Sequence, residues 1–471
     1  MNKKNLLILF LCFSFFSHCA PQKTNRLFKN QRAFVDMRFG AFVHFGIRTF
    51  TGGAWGEPNQ DISQFNPVDL DCNQWIDAFK SANMKFAILT TKHHDGFCLW
   101  DSKYTDYDVA NTPWKNGKGD VVREYVNACR ANGIAPGLYY SVWDATAGIG
   151  EGNEITEAQM DVILGQITEL LTNYGEIPML IMDGWSWKTG HHKVPYTRIH
   201  QLVRELQPDC LLSDHTHLRA LYDVDIVYYE AGNPCPDDNT LPATLSALIY
   251  KDGGNGWFWT PQIPTAPLMT VDEVVENLHF VEPRWCSYIL NCPPNDKGLM
   301  DANIVERLAA IGKAWQPNPN RPPLPDPGPQ NLSPVMPDTA FATSGNAWYA
   351  IDGLNDRYYY TVWKSEGPLP QSVTLDMGDI VAGLGYLSYV PQYKPVVVPT
   401  EQGSIKEWRL YKSMDNVDYD EITHGEWNGD TKMKVITFSP TEARYLRLEA
   451  VSAVGDTAAI TELAVGLAPG Q

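Results

Sequence analysis

Positive charge is scarce in this chain: 37 Lys and Arg stand against 55 Asp and Glu, a formal net charge of −18 over 471 residues. Nucleic acid, whose phosphates call for a basic surface, is therefore not an expected partner. Cysteine is sparse as well. Seven follow Cys19 (Cys72, Cys98, Cys129, Cys210, Cys235, Cys286 and Cys292), scattered singly, and none follows Cys292. No Cys-x-x-Cys pair occurs, which argues against a structural zinc site, and an odd, dispersed set reads as buried free thiols. A Gly-x-Gly-x-x-Gly phosphate loop and a Gly-x-Ser-x-Gly elbow are both missing, so nothing indicates dinucleotide binding or serine acyl transfer. The apolar run Leu6–Phe16 is too short to span a bilayer. Preceded by Lys3 and Lys4 and followed by Ser17-His18-Cys19-Ala20, it reads as an export signal over residues 1–19. Phe16-Ser17-His18-Cys19 loosely matches a lipobox, so the signal is either plainly secretory or one that lipidates Cys19, the sole membrane link expected. Either reading places the protein outside the cytoplasm: periplasmic, on the bacterial cell surface, or secreted.

What is abundant is apolar and aromatic: 44% hydrophobic residues, with 15 Trp and 22 Tyr, enough for a large core and flat faces for neutral ligands. From 28 to 315 apolar runs alternate with amphipathic stretches, the βαβα pattern of a parallel sheet. The strands read as Phe39–Gly46, Phe86–Thr91, Ala135–Trp143, Met179–Gly184, Cys210–Ser213, Asp225–Glu230, Ala247–Tyr250 or Gly256–Trp259, and Ser287–Asn291. Eight of them predict a (β/α)8 barrel of TIM type; an open doubly wound sheet would call for the missing glycine loop. Residues 316–330 contain seven prolines and read as a stiff linker. Beyond it, from 331 to 471, short alternating segments such as Glu407–Tyr411 and Tyr445–Glu449 predict an antiparallel β-sandwich.

A barrel gathers the carboxyl ends of its strands at one mouth. That would bring together His44, then Lys92, His93, His94 and Asp95, then Tyr139, Tyr140, Trp143 and Asp144, with Asp183, Asp214, His215, Glu230, Asp252 and Asn291. Histidines beside carboxylates suit a metal centre, but the His-x-His pair of amidohydrolase-type barrels is absent from the first strand, so no metal is expected there. Two carboxylates in unlike surroundings are the equipment for glycoside hydrolysis. Asp183, between an apolar strand and Gly184-Trp185, suits a nucleophile. Glu230, approached by Tyr228-Tyr229, suits an acid/base whose pKa its apolar surroundings raise, with Asp214 and Glu57 as rivals.

Phe39-Gly-Ala-Phe-Val-His-Phe-Gly46, Lys92-His-His-Asp-Gly-Phe97, Tyr139-Tyr-Ser141 and Met182-Asp-Gly184, in this order, resemble glycoside hydrolase family 29, the α-L-fucosidases. The resemblance implies a retaining mechanism with Asp183 as nucleophile and no cofactor for catalysis. It implies that His44, His93, His94 and Tyr140 hydrogen-bond the fucose hydroxyls, with Trp55 and Glu57 nearby. The branch acting on α-1,3/1,4-fucosyl linkages carries its acid/base some forty to fifty residues after the nucleophile, which fits Glu230. Trp257 and Trp259 are candidates to pack on the C5-methyl group of fucose. Ala350-Ile-Asp-Gly353, Tyr360-Thr-Val-Trp363 and Val373–Gly378 resemble a discoidin (factor 5/8 type) module, which implies a structural calcium; Leu384–Thr400 departs from that pattern. The implied partner is a fucosylated oligosaccharide or glycoconjugate. The readings set against this are a fucosidase of broad linkage specificity, a hydrolase of another glycoside such as an α-galactoside, and a non-catalytic glycan-binding surface protein.

Overall fold

Strands buried on both faces need cover on both sides, and eight of them here solve the problem by closing on themselves. In the computed structural model β1 (Phe39–Val43), β2 (Phe86–Lys92), β3 (Ala135–Ser141), β4 (Met179–Asp183), β5 (Leu211–Asp214), β6 (Ile226–Glu230), β7 (Ala243–Leu248) and β8 (Cys286–Asn291) form a closed parallel barrel in sequence order, β8 pairing back onto β1. The structure describes residues 26–150, 154–216, 218–230, 235–251, 257–328, 330, 333–354, 361–393 and 401–468. The export signal with Cys19, Asp252, Tyr360 and the end of Leu384–Thr400 lie outside the described residues.

Among the described residues eight α-helices accompany the strands: α1 (Arg26–Met37), α2 (Arg48–Thr51), α3 (Cys72–Ser81), α4 (Val121–Ala131), α5 (Glu157–Asn173), α6 (Tyr196–Leu206), α7 (Val271–Val281) and α8 (Ala302–Ala314). Their starts follow from local chemistry. The Asp71 and Asp120 side chains accept from the first free N–H groups of α3 and α4, and Thr156 with Gln159 and Thr270 with Glu273 form capping boxes on α5 and α7. The seventh strand is Ala243–Leu248 rather than either segment read from the sequence; its Thr244 and Ser246 are fully buried, their hydroxyls hydrogen-bonded to Ser287 O and the Tyr228 hydroxyl. Among the described residues no α-helix follows β5 or β6, so the barrel departs from eight regular βα units.

Inward side chains fill the barrel: Phe42, Phe86, Ile88, Tyr139, Met179, Ile181, Leu211, Ile226, Tyr228 and Ile289 form one cluster. Phe34 of α1 joins it from below, its ring 5.1 Å from Phe86. The proline-rich segment belongs to this floor. Leu324 is buried in the same cluster, Arg321 pairs with Asp36, and Gln330 bonds Gln31. The segment read as a linker is thus packed against the barrel.

The C-terminal part is an antiparallel sheet, ordered β14-β13-β15-β12-β17-β9 with β10 on β12, beside the pair β11-β16. Its strands are β9 (Pro334–Val335), β10 (Thr339–Ala342), β11 (Trp363–Lys364), β12 (Gln371–Val390), β13 (Glu407–Ser413), β14 (Asp420–Glu426), β15 (Lys434–Ala450), β16 (Ala459–Ile460) and β17 (Glu462–Leu467). It has its own core, and meets the barrel where the helices are missing: Leu218, Ala220 and Tyr222, after β5, pack on Val390 and Ala464.

Candidate active site

Asp183 ends β4, and its carboxylate is fixed by three donors: Tyr139 Oη to Oδ2, and Gly184 N and Trp187 Nε1 to Oδ1, each at 2.6 Å. Gly184 has φ +65°, a left-handed turn that puts its N–H back onto the preceding carboxylate; a Cβ there would lie 2.5 Å from Trp143 Cβ. His94 Nε2 stands 3.7 Å from Oδ2 and His215 Nδ1 3.5 Å from Oδ1. Asp183 is only 4% exposed, yet it opens onto the mouth between these rings.

Three histidines line the adjoining wall, and each is buried. Asn291 donates through Nδ2 to Trp257 O at 2.8 Å, so its Oδ1 accepts from His44 Nδ1 at 2.7 Å. Ser141 donates to Trp143 O at 2.6 Å, so its oxygen accepts from His94 Nδ1 at 2.7 Å. Both assignments leave Nε2 as an acceptor. Burial holds the pKa of His44 and of His94 down at about 3, so both rings are neutral. His93 is pushed down the same way, with His94 adding to the effect, and neither ring nitrogen has a protein hydrogen-bond partner. Its ring stacks on Tyr139 and meets Trp55 edge-on at 4.8 Å. Three neutral rings offering nitrogen to a shared space are suited to hydroxyl groups.

Two expectations are corrected, the first because adjacent residues on a strand face opposite ways. Tyr140 points outward: its hydroxyl donates to Gln166 Oε1 on α5 at 2.8 Å and accepts from Lys92 Nζ at 3.0 Å, so it is Tyr139 that faces the cleft. Trp259, in a loop, turns away to bond Asp301 Oδ2 at 2.7 Å, and Phe258 takes its place, its ring centroid 5.0 Å from that of His93 and 5.4 Å from that of His44. Trp257 lies beside the histidine wall, its ring centroid 5.0 Å from that of His44. Trp55 covers His93 and His94 and is 40% exposed. Glu57 is exposed and folds back on Ala54 N at 2.7 Å, which holds the Trp55 loop. Lys92 is charged and buried: burial opposes the charge, but Asp144 at 2.9 Å and Tyr140 more than offset it. Lys92, Asp95 and Asp144 therefore shape the β2 and β3 loops.

Glu230 ends β6 and is half-buried, on the same strand face as Tyr228. Tyr228 stacks at 3.8 Å on His215, which reaches Asp183, so Glu230 belongs to the Asp183 side of the mouth. Asp214 lies below, fully buried, its Oδ2 accepting from Ser186 N at 3.2 Å. Trp187 was not foreseen. It lies in a five-residue wide turn, Trp185–Thr189, that follows β4 directly, and nothing in its spacing separates it from Trp185, which is core. Two groups of described side chains have ligand atoms close enough to share a cation: His93, His94 and Asp183 in the cleft, and His191, Asp214 and Asp223 beneath it.

The alpha-L-fucosidase family model matches residues 58–319. Alpha-L-fucosidase 1 of Arabidopsis thaliana is 34% identical over 300 residues, which cover 57% of this chain and 57% of that protein, so the chain spans little more than half the length of that relative. A glycoside hydrolase 29 family member from an unknown rumen bacterium has 25% identity and a TM-score of 0.53, over 94% of this chain and 77% of that one. A Ruminococcus gnavus GH29 fucosidase solved in complex with fucose has 21% identity and a TM-score of 0.51, over 94% of this chain and 95% of its own. With the matched stretch covering more than half of the sequence and running from the Trp55 loop to the end of the barrel, the chain belongs to the alpha-L-fucosidase family.

Proposed function

We propose that the protein is an exported retaining α-L-fucosidase that removes terminal α-1,3/1,4-linked fucose from glycans or glycoconjugates, with Asp183 as nucleophile and Glu230 as acid/base. The observation that carries the proposal is the Asp183 carboxylate, held by three hydrogen bonds at the edge of a wall of neutral histidines. Fixed donors reduce the reorganisation needed at the moment of attack. Neutral His44, His93 and His94 accept from sugar hydroxyls without a competing positive charge that would pair with the nucleophile. Trp257 and Phe258 give the apolar side that a C5-methyl needs. The fucose bound by the Ruminococcus gnavus relative supports the choice of sugar.

In the first step an Asp183 oxygen forms a bond to the anomeric carbon as the glycosidic C–O bond breaks, and Glu230 gives its proton to the departing oxygen. In the second, water loses a proton to Glu230 and displaces Asp183 from the fucosyl-enzyme, restoring both groups. The rivals are less well placed. Asp214 is turned beneath the cleft and Glu57 is spent on its own loop. The 47-residue interval from Asp183 to Glu230 supports the α-1,3/1,4 branch.

The test is kinetic. Asp183→Ala is expected to abolish turnover of an aryl fucoside and of a Lewis-type oligosaccharide; wild-type turnover on both would overturn the nucleophile. Glu230→Ala with azide is expected to give α-fucosyl azide, the configuration retained through two displacements, and no rescue, with Asp214→Ala equally inactive, would move the acid/base. A panel of linkage-defined fucosyl oligosaccharides decides the linkage. Preference for α-1,2 or α-1,6 bonds would refute that part alone.

A further inference from the structure

Beneath the cleft, on the side where barrel and C-terminal sheet meet, three side chains converge from separate segments. Asp214 ends β5, Asp223 comes just before β6, and His191 lies in the loop between β4 and α6. His191 Nε2 is 3.2 Å from Asp223 Oδ2 and 3.9 Å from Asp214 Oδ2. All three side chains are at least 98% buried, and among the described residues both His191 nitrogens, both Asp223 oxygens and Asp214 Oδ1 have no hydrogen-bond partner. Among the described residues no Lys or Arg figures among the leading charges acting on either aspartate. Glu462 of β17, itself buried and donated to by Gly353 N at 2.8 Å, adds a third carboxylate within electrostatic reach of Asp223.

So much acid in a dry site must either hold its protons or meet a positive partner. The ring of His191 is caged by Trp185, at 4.6 Å between centroids, and Tyr196, at 5.0 Å, which leaves it no freedom to turn elsewhere. Donor atoms 3.2 and 3.9 Å apart bracket the spacing of about 3.4 Å between neighbouring ligands of one tetrahedral ion with bonds near 2.1 Å. An imidazole nitrogen with two carboxylates suits a first-row divalent ion such as zinc, and suits calcium or magnesium poorly.

We propose that His191, Asp214 and Asp223 bind one divalent transition-metal cation of the zinc type, a structural site beneath the cleft and separate from the reacting groups. The cysteine spacing gave no hint of it because no cysteine takes part. The ion would tie the ends of β4 and β5 to the strand entering β6. Through Asp214 it would also fix the neighbouring His215, which faces Asp183.

The test is metal content of the full chain, expressed in zinc-supplemented medium and dialysed against EDTA to strip surface ions. Elemental analysis is expected to give about one zinc, or another first-row divalent ion, per chain, falling at least tenfold in Asp223→Asn and His191→Gln. Thermal unfolding adds a second reading. If an ion is bound, Asp223→Asn lowers Tm by roughly 5 °C or more; if none is, removing a buried charge leaves Tm unchanged or raises it. Metal-free wild type, calcium alone, or an ion kept by Asp223→Asn but lost in His93→Gln would each overturn the proposal.

Discussion

The barrel rim has two unlike halves. From β1 to β4 each functional side chain is fixed by barrel neighbours: His44 by Asn291, His94 by Ser141, Asp183 by Tyr139 and the turn that follows it. From β5 to β6 no α-helix backs the strands among the described residues, and the C-terminal sheet stands in that place. Leu218 and Tyr222 pack on Val390 and Ala464, Arg219 bonds Thr431, and a Cβ at Gly353 would collide with His191 at 2.2 Å. The half proposed to grip the sugar is thus self-supporting, while the half proposed to carry the acid/base leans on a second body. A rigid subsite can be built from short-range bonds; a rim without helices must borrow its stiffness.

The largest effect should come from the self-supporting half. Asp183→Asn keeps the shape but removes the proposed nucleophile, and kcat/KM is expected to fall by about 10⁴-fold, ~5.5 kcal/mol in the barrier, with Tm little changed. Next is the borrowed support. Leu218→Ala should cost about 2–5 kcal/mol by chemical denaturation and also reduce kcat/KM at temperatures where it is folded. Ala substitution at Phe79, buried between barrel and helices, should cost similar stability with activity intact. Equal activity loss in both would dissolve the distinction between the halves. Within the first half, Tyr139→Phe and Trp187→Phe each remove one donor from Asp183 and should lower kcat about 10²-fold, whereas Tyr140→Phe should stay within about threefold.

The smallest effect is on pH dependence. His44 has its folded pKa lowered to about 3 by burial, against an ordinary value of 6.5. The unfolded chain therefore binds the extra proton first, so the stability tied to this ring is complete above pH 6.5 and is lost as pH falls toward 3. The loss amounts to about 1.4 kcal/mol per pH unit for one such ring. His44→Gln should flatten the acid side of the stability curve by that slope, measured by denaturant titration from pH 7 to 4. An unchanged slope would show that the ring is not held neutral.

Much of this was legible in the sequence, because apolar runs ending in polar residues mark barrel strands and their mouth. Seven of the eight strands lie where such runs predicted them. The exception, Ala243–Leu248, escaped because its buried Thr244 and Ser246 dilute the apolar signal. What the sequence hides is parity. Where a strand is buried on both faces, alternation carries no sign, and so Tyr140 was expected where Tyr139 stands; Phe258 stands where Trp259 was expected because that segment is a loop and not a strand. Trp187 and the His191 cluster were hidden for another reason: each depends on how a loop folds back, and loop chemistry is not periodic.

The position of α1 has a directional consequence. Arg26 at its start pairs with Asp209, just ahead of β5, and the helix lies under the amino-terminal ends of the strands, opposite the cleft. Anything joined to the chain ahead of Arg26, whether a lipid tether, a fusion tag or a solid support, attaches at the base. The mouth is left pointing outward, so immobilisation through that end should leave large glycoconjugates free to reach Asp183.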